Sequence, residues 1–293
     1  MLGLVGASSP LFTSSLRAIE PIKRSGPPRF HLSLVAYSFR DLFNSKDATK
    51  RIDLFQFIDF AAEHGFDGVE LTQYYFPKEV TAEYLAQLRS HAFLRGVTIS
   101  GTGTGSRFAM PRGEKFDEQL RDARKRIDYA AAIGAPFVRM FSGGVAKDFN
   151  KADALKNCIA GLEECADYAG QKGIFIGLEN DQGMTTTVEG TLEIIQGVKS
   201  KWLAANLDTG NFHETTDVYG DLVKLAPYAI NVHFKSQIHP KGKDARPMDI
   251  QRVLKILRNV NYQGFLAVEY EGKDEPLKAA PALGKKIRKE MKA

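Results

Sequence analysis

Four residues in the second half of the chain share a position and a chemistry. Glu179 ends the apolar run "GIFIGLEND", Asp208 lies in "WLAANLDTGN", His233 in "AINVHFKSQ" and Glu269 in "GFLAVEYEG". In an extended strand successive side chains alternate between faces. Each polar residue therefore faces away from its apolar neighbours: Ala205 and Leu207 oppose Asp208, Val232 and Phe234 oppose His233, and Val268 and Tyr270 oppose Glu269. Singly, each has an ordinary structural explanation. A glutamate at a strand end is commonly solvated or ion-paired, an aspartate before "TG" suits a turn, and a histidine between apolar residues is commonly hydrogen-bonded in a core. Four such residues on four consecutive runs, all pointing the same way, are better explained as one site. Three crowded carboxylates would repel one another and raise their own pKa values, and a divalent cation removes that penalty. Oxygen-rich donors with one imidazole suit Mn²⁺, Mg²⁺ or Co²⁺, with Zn²⁺ a further option.

The rest of the chain supplies a frame for such a site. Short apolar runs recur at residues 31–39, 66–73, 97–105, 135–144, 173–181, 202–211, 229–237 and 264–272. Between them lie amphipathic segments of helical spacing, among them "RIDLFQFIDFAAEHG", "QLRDARKRIDYAAAIGA" and "DIQRVLKILRNVNYQG", several closed by glycine. Eight parallel strands alternating with helices are most simply closed into an α/β fold of the (β/α)8 TIM barrel type, a single domain. Functional groups in that architecture gather at the C-terminal strand ends, where the four residues fall. A doubly wound open sheet is the alternative, but no glycine-rich phosphate loop follows the first strand. "GTGTG" at 101–105 fails the G-x-G-x-x-G spacing and opens no helix directly, so it reads as a wide loop after strand three.

Composition agrees with a globular enzyme: 293 residues, 43% apolar and 26% charged, with a net charge of +5. No run approaches the ~20 apolar residues of a membrane span, so no membrane association is expected. The basic residues are scattered except in "GKKIRKEMKA", a solvated helix end rather than a nucleic-acid arm. Cys158 and Cys165 share one helical pattern about 10 Å apart along its axis, too far to bridge. Residues 1–29 differ from the rest, being small and apolar without a basic start. They are expected to form an N-terminal arm or the remnant of an export signal, with 30–293 as the catalytic barrel. The corresponding compartments are a bacterial cytoplasm or a periplasm. Oligomeric state stays open, a homo-oligomer included.

The pieces "GLEN" (177–180), "NLDTGN" (206–211), "HFK" (233–235) and "LAVEYEG" (266–272), in that order, resemble the xylose isomerase-like barrel superfamily in its sugar phosphate isomerase/epimerase branch. The resemblance spans about residues 30–290. It implies that Glu179, Asp208, His233 and Glu269 hold one divalent metal, and that Glu179 and Glu269 also act as acid and base. A small-molecule ketose or keto-sugar, phosphorylated or not, would lose a carbon-bound proton to one glutamate. The other would return a proton to the opposite face or to the neighbouring carbon. Loss of a β-hydroxyl from the same enediolate would make a dehydratase or lyase, and a non-catalytic sugar-binding barrel is the alternative of another class.

Lys235, Asn211, His239, Arg139 and Glu70 are second-tier candidates for substrate contact, with Arg139 also placed to neutralise the carboxylates and Glu70 to orient them. Asn211 stands where several relatives of that branch carry a histidine, and His239 where some carry an arginine. His213 reads as a loop residue. The superfamily's DNA-repair branch needs a three-zinc site with several more histidines. His31, His64 and His91 lie away from the useful strand ends, so phosphodiester cleavage is not expected.

Overall fold

A computed structural model describes residues 19–292; residues 1–18 of the expected N-terminal arm lie outside them. Eight parallel strands form a closed barrel. In chain order they are β1 (Arg29–Val35), β2 (Gly68–Thr72), β3 (Thr98–Gly103), β4 (Phe137–Met140), β5 (Phe175–Glu179), β6 (Leu203–Asp208), β7 (Ala229–Phe234) and β8 (Gln263–Val268). Each overlaps one of the expected runs, and β8 pairs with β1 to close the ring. A two-residue antiparallel pair, Gln237–Ile238 with Arg246–Pro247, follows β7 and has no counterpart in the expected pattern.

A principal helix follows each strand: α1 (Leu54–Glu63), α2 (Ala82–Leu94), α3 (Glu114–Ile133), α4 (Lys151–Gly170), α5 (Val188–Gly197), α6 (Val218–Leu225), α7 (Ile250–Asn259) and α8 (Pro276–Met291). Their starts are written locally. Asp53 and Gln56 form a reciprocal capping box at α1, and Asn150, Thr187 and Asp249 cap α4, α5 and α7; each such cap contributes roughly 1 kcal/mol. Gly134 ends α3 at φ 77°, a left-handed conformation that favours glycine. Cys158 and Cys165 are free and buried in the face that α4 turns to the core. Burial drives their thiols up, Cys158 to about 12, so they pack as small apolar side chains rather than as reactive thiolates.

Outward residues of the strands meet the helices, as Ile176 and Leu178 of β5 do with no exposed surface. The barrel interior is filled by Phe137 and Phe265 lying against glycines. A Cβ on Gly101 would come within 2.1 Å of the Phe137 ring, and one on Gly68 within 2.8 Å of Phe265. This corrects the reading of "GTGTG": its first three residues belong to β3, and glycine is there because the ring leaves no room for a side chain. Residues 19–28 are tied to the N-terminal ends of the strands. Ile22 N donates to Pro227 O at 2.9 Å, and Gln263 Nε2 donates to the carbonyls of Ser25 and Pro27.

Candidate functional site

Glu179 and Asp208 are the last residues of β5 and β6, His233 is the penultimate residue of β7, and Glu269 immediately follows β8. Asp208 is paired with His233 in register, and His233 with Ala267. All four side chains are buried, Asp208 and His233 completely. One potential ligand atom from each lies within 4.8 Å of the others, and this is the one such group among the described residues. His233 Nδ1 is 2.7 Å from Glu179 Oε1, 3.3 Å from Glu269 Oε2 and 4.0 Å from Asp208 Oδ2.

The neighbouring backbone aims these groups. Asn180 bridges β5 to β6, donating to Asp208 O and accepting from Asp208 N, both at 2.9 Å. Asp208 Oδ1 accepts from Gly210 N and Asn211 N at 2.7 and 3.0 Å, so the turn expected of "LDTGN" forms. The same side chain serves the site as well, because Oδ2 is left over and faces the cluster. Behind Glu269, Tyr270 N donates to Ser38 Oγ at 2.9 Å and ties this strand end to the segment after β1.

A layer of buried hydrogen bonds lies beneath. Asn206 Nδ2 donates to Glu179 Oε1, Asn231 Nδ2 donates to Asn206 Oδ1 and to Glu70 Oε2, and His233 Nε2 lies 2.9 Å from Glu70 Oε2. The chain of contacts returns through His233 to Glu179, closing a ring. Glu70 therefore orients His233 from below and does not line the cleft. A carboxylate on the far nitrogen of a histidine fixes its tautomer and leaves the other nitrogen to face a cation. The ladder shifts register opposite these residues, with Ser100 of β3 the extra residue facing Val69/Glu70 and Ile230 of β7 the extra residue facing Ala205/Asn206.

Positive charge surrounds the cluster. Arg139, buried, places Nε 3.1 Å from Glu179 Oε2. Lys235 Nζ lies 2.7 Å from Glu269 Oε2 and 3.4 Å from Asp208 Oδ2, and also contacts Glu271. The carboxyls respond differently. Burial, reinforced by repulsion from Glu179 and Glu269 and opposed by Lys235, pushes Asp208 up to about 8. Burial would raise Glu269 too, but Lys235 and His233 outweigh it and hold that carboxyl well below its ordinary value. On His233 burial opposes charge, yet Glu70, Glu269 and Glu179 prevail and hold its proton well above the usual histidine range.

The group fits a divalent cation on its own chemistry. Asp208 Oδ2 and His233 Nδ1 are buried polar atoms that make no well-directed hydrogen bond. They have only close ion-pair contacts with Lys235 and Glu179, an arrangement that a cation would satisfy more fully. Both point into a set of three carboxylates and one imidazole.

The cluster opens into a cleft of about 420 Å³ lined by Glu179, Glu269, Lys235, Arg139 and Asn211. His239 lies instead in an adjoining recess of about 100 Å³, with its ring 5.5 Å from that of His213. His213 is a loop residue, as the sequence suggests, and it lines the cleft. Asn206 and Asn231 have no place in the sequence reading, although each stands two residues before Asp208 or His233 and shares its parity. Tyr37, Tyr74 and Asp181, also on the cleft wall, carry no comparable signal.

The sequence profile of the family described as xylose isomerase-like TIM barrel matches residues 58–291. No curated protein matches the sequence. Among solved structures, a xylose isomerase-like TIM barrel/4-hydroxyphenylpyruvate dioxygenase fusion protein superposes with a TM-score of 0.69 at 18% identity over 88% of this chain. That match spans only 42% of the fusion protein's length. A D-psicose 3-epimerase determined in the presence of D-fructose gives a TM-score of 0.70 at 15% identity, covering 89% of this chain and 97% of its own. The IOLI protein with a bound zinc atom gives 0.69 at 17% identity, covering 89% and 96%. At these identities the likeness establishes a shared fold.

Proposed function

Because the chain belongs to the xylose isomerase-like TIM barrel family, we propose that it is a divalent-metal-dependent isomerase or epimerase of a ketose or keto-sugar, in keeping with the sugar phosphate isomerase/epimerase branch. The observation that carries this reading is the inward cluster of Glu179, Asp208, His233 and Glu269 at the base of an open cleft. The epimerase among the similar structures supports it.

The four residues would hold one Mn²⁺, Mg²⁺, Co²⁺ or Zn²⁺ ion, with His233 contributing Nδ1. When bound, the ion neutralises the carboxylates and stabilises negative charge on substrate oxygens. The chain's own residues do the proton chemistry. One of Glu179 and Glu269, as carboxylate, takes the carbon-bound proton; the other, as carboxylic acid, delivers one to the opposite face or the neighbouring carbon. Their protonation states are then reset by exchange with solvent. Arg139 and Asn206 fix the two oxygens of Glu179, and Lys235 stands where a substrate oxygen gaining charge would meet an ammonium. Asn211 adds a polar contact at the cleft wall.

The test starts with metal content by mass spectrometry on the wild type and His233→Ala. Near-stoichiometric metal that falls sharply in the variant supports the site. Incubation of ketoses and keto-glycosides in D₂O should then place deuterium at carbon. A product lighter by one water would move the assignment to a dehydratase or lyase. A wild type that stays empty with every one of these metals would leave a sugar-binding barrel as the account.

A further inference from the structure

The cleft has a second chemical character on its other side. Tyr37 follows β1, Tyr74 follows β2 and Phe141 follows β4, and all three line the cleft. Tyr74 is 43% exposed and lies on the concave wall of the cleft. Two of these rings are held in place. The Arg139 guanidinium packs on Phe141 at 4.1 Å and donates to Tyr74 Oη at 3.0 Å, while itself anchored to Thr104 O and Glu179. The cation that braces Glu179 thus also fixes an aromatic wall beside it.

The cleft is also larger than the cluster's chemistry demands. A volume of about 420 Å³ lies in the range of roughly 300–1,000 Å³ that buries a drug-sized ligand, more than one hexose ring fills. An aromatic face is complementary to the C–H face of a pyranose, and the rim offers hydrogen bonds to hydroxyls from Asp181, Gln182 and Arg107. A phosphate suits this rim less well. Arg139 is already committed to Glu179, and the acid Asp181 shares the wall with Arg107.

We propose that Tyr37, Tyr74 and Phe141 form a subsite for a second sugar ring, so that the substrate is a disaccharide-like glycoside whose reacting ring lies over Glu179 and Glu269. This rests on the carbohydrate reading above and narrows it. The non-reacting ring stacks on the wall and anchors the substrate, while the keto-bearing ring occupies the acidic end.

Calorimetry and saturation-transfer NMR on the Mg²⁺-incubated protein test the subsite, with glucose, fructose, cellobiose, maltose and fructose 6-phosphate as probes. At least one disaccharide should bind about tenfold tighter than glucose, the scale of one good aromatic contact, with both of its rings saturated. Tyr74→Ala and Tyr37→Ala should bring that ratio close to one, and Tyr74→Phe should keep it. Equal binding of one-ring and two-ring sugars, a ratio that survives Tyr74→Ala, or fructose 6-phosphate as the tightest probe would each overturn the subsite while leaving the carbohydrate reading intact. Failure of every probe to bind would overturn both.

Discussion

The two halves of the barrel are made from the same strand-and-helix unit but put different groups at equivalent inward positions. On β5 to β8 these are Glu179, Asp208, His233 and Glu269, each offering an atom to the cleft. On β2 to β4 they are Glu70, Gly103 and Arg139. Gly103 only makes room: a Cβ there would come within 2.8 Å of Arg139. Glu70 reaches across the barrel from β2 to His233 on β7, and Arg139 reaches from β4 to Glu179 on the neighbouring β5. The first half braces and the second half acts. Barrel closure allows the Glu70 contact, because strands far apart in sequence face each other across its axis.

That division predicts unequal losses. Glu179→Gln or Glu269→Gln removes a proton carrier and should slow deuterium exchange into substrate by about 10²–10⁴-fold in a protein that still folds. Glu70→Gln should act only through His233. Metal affinity, measured by competition with a chelating dye, should fall about 10–100-fold, and the exchange rate should recover at saturating metal. If Glu70→Gln is as inactive as Glu269→Gln at saturating metal, the bracing half takes part in the chemistry and the division fails.

The sequence made the acting half legible and the bracing half only partly so. Parallel strands are covered on both faces, so they stand out as apolar runs, and a titratable residue breaking such a run at its end is conspicuous. Asn206 and Asn231 sit at the same parity but carry no charge to draw notice. The Glu70–His233 contact joins residues 163 apart; parity could aim Glu70 inward, but only barrel closure selects its partner. Glycine in "GTGTG" suggested a loop, because the Phe137 ring that requires it lies on another strand. Tyr37 and Tyr74 lie on short 3₁₀ turns, whose course no hydrophobic period determines.

The glycine contact gives a test confined to the bracing half. Gly101→Ala would press a methyl into Phe137, whose ring is already 3.3 Å from the Cβ position of Gly177 on its other side. Overpacking of this kind costs about 1–3 kcal/mol. The melting temperature should drop by a few degrees with metal affinity unchanged. A large loss of metal affinity would mean that strain at the barrel floor reaches the acting half.

The smallest effect concerns charge in the acting half. In the metal-free protein the proton affinities of Asp208, His233 and Lys235 are all raised above their ordinary values. On His233 and Lys235 this reflects stabilised cations, whose contribution is complete below the unfolded pKa and fades as pH rises through the folded one. On Asp208 it reflects a penalty that grows as the carboxyl ionises, from 3.8 in the unfolded chain towards about 8 in the fold. Between pH 6 and pH 9 Asp208 and His233 leave the folded state holding more protons than the unfolded one, so stability must decrease with rising pH there. The loss from Lys235 begins only above its ordinary 10.5. Glu269 has the opposite sign, but its loss lies below its ordinary value of 4.5. Urea midpoints of chelator-treated protein should therefore decline from pH 6 to pH 9. Added divalent metal should flatten the decline, because it satisfies the carboxylates and takes the place of the His233 proton. A midpoint constant over this range, or one that rises, would show that these groups do not control the metal-free stability of the acting half.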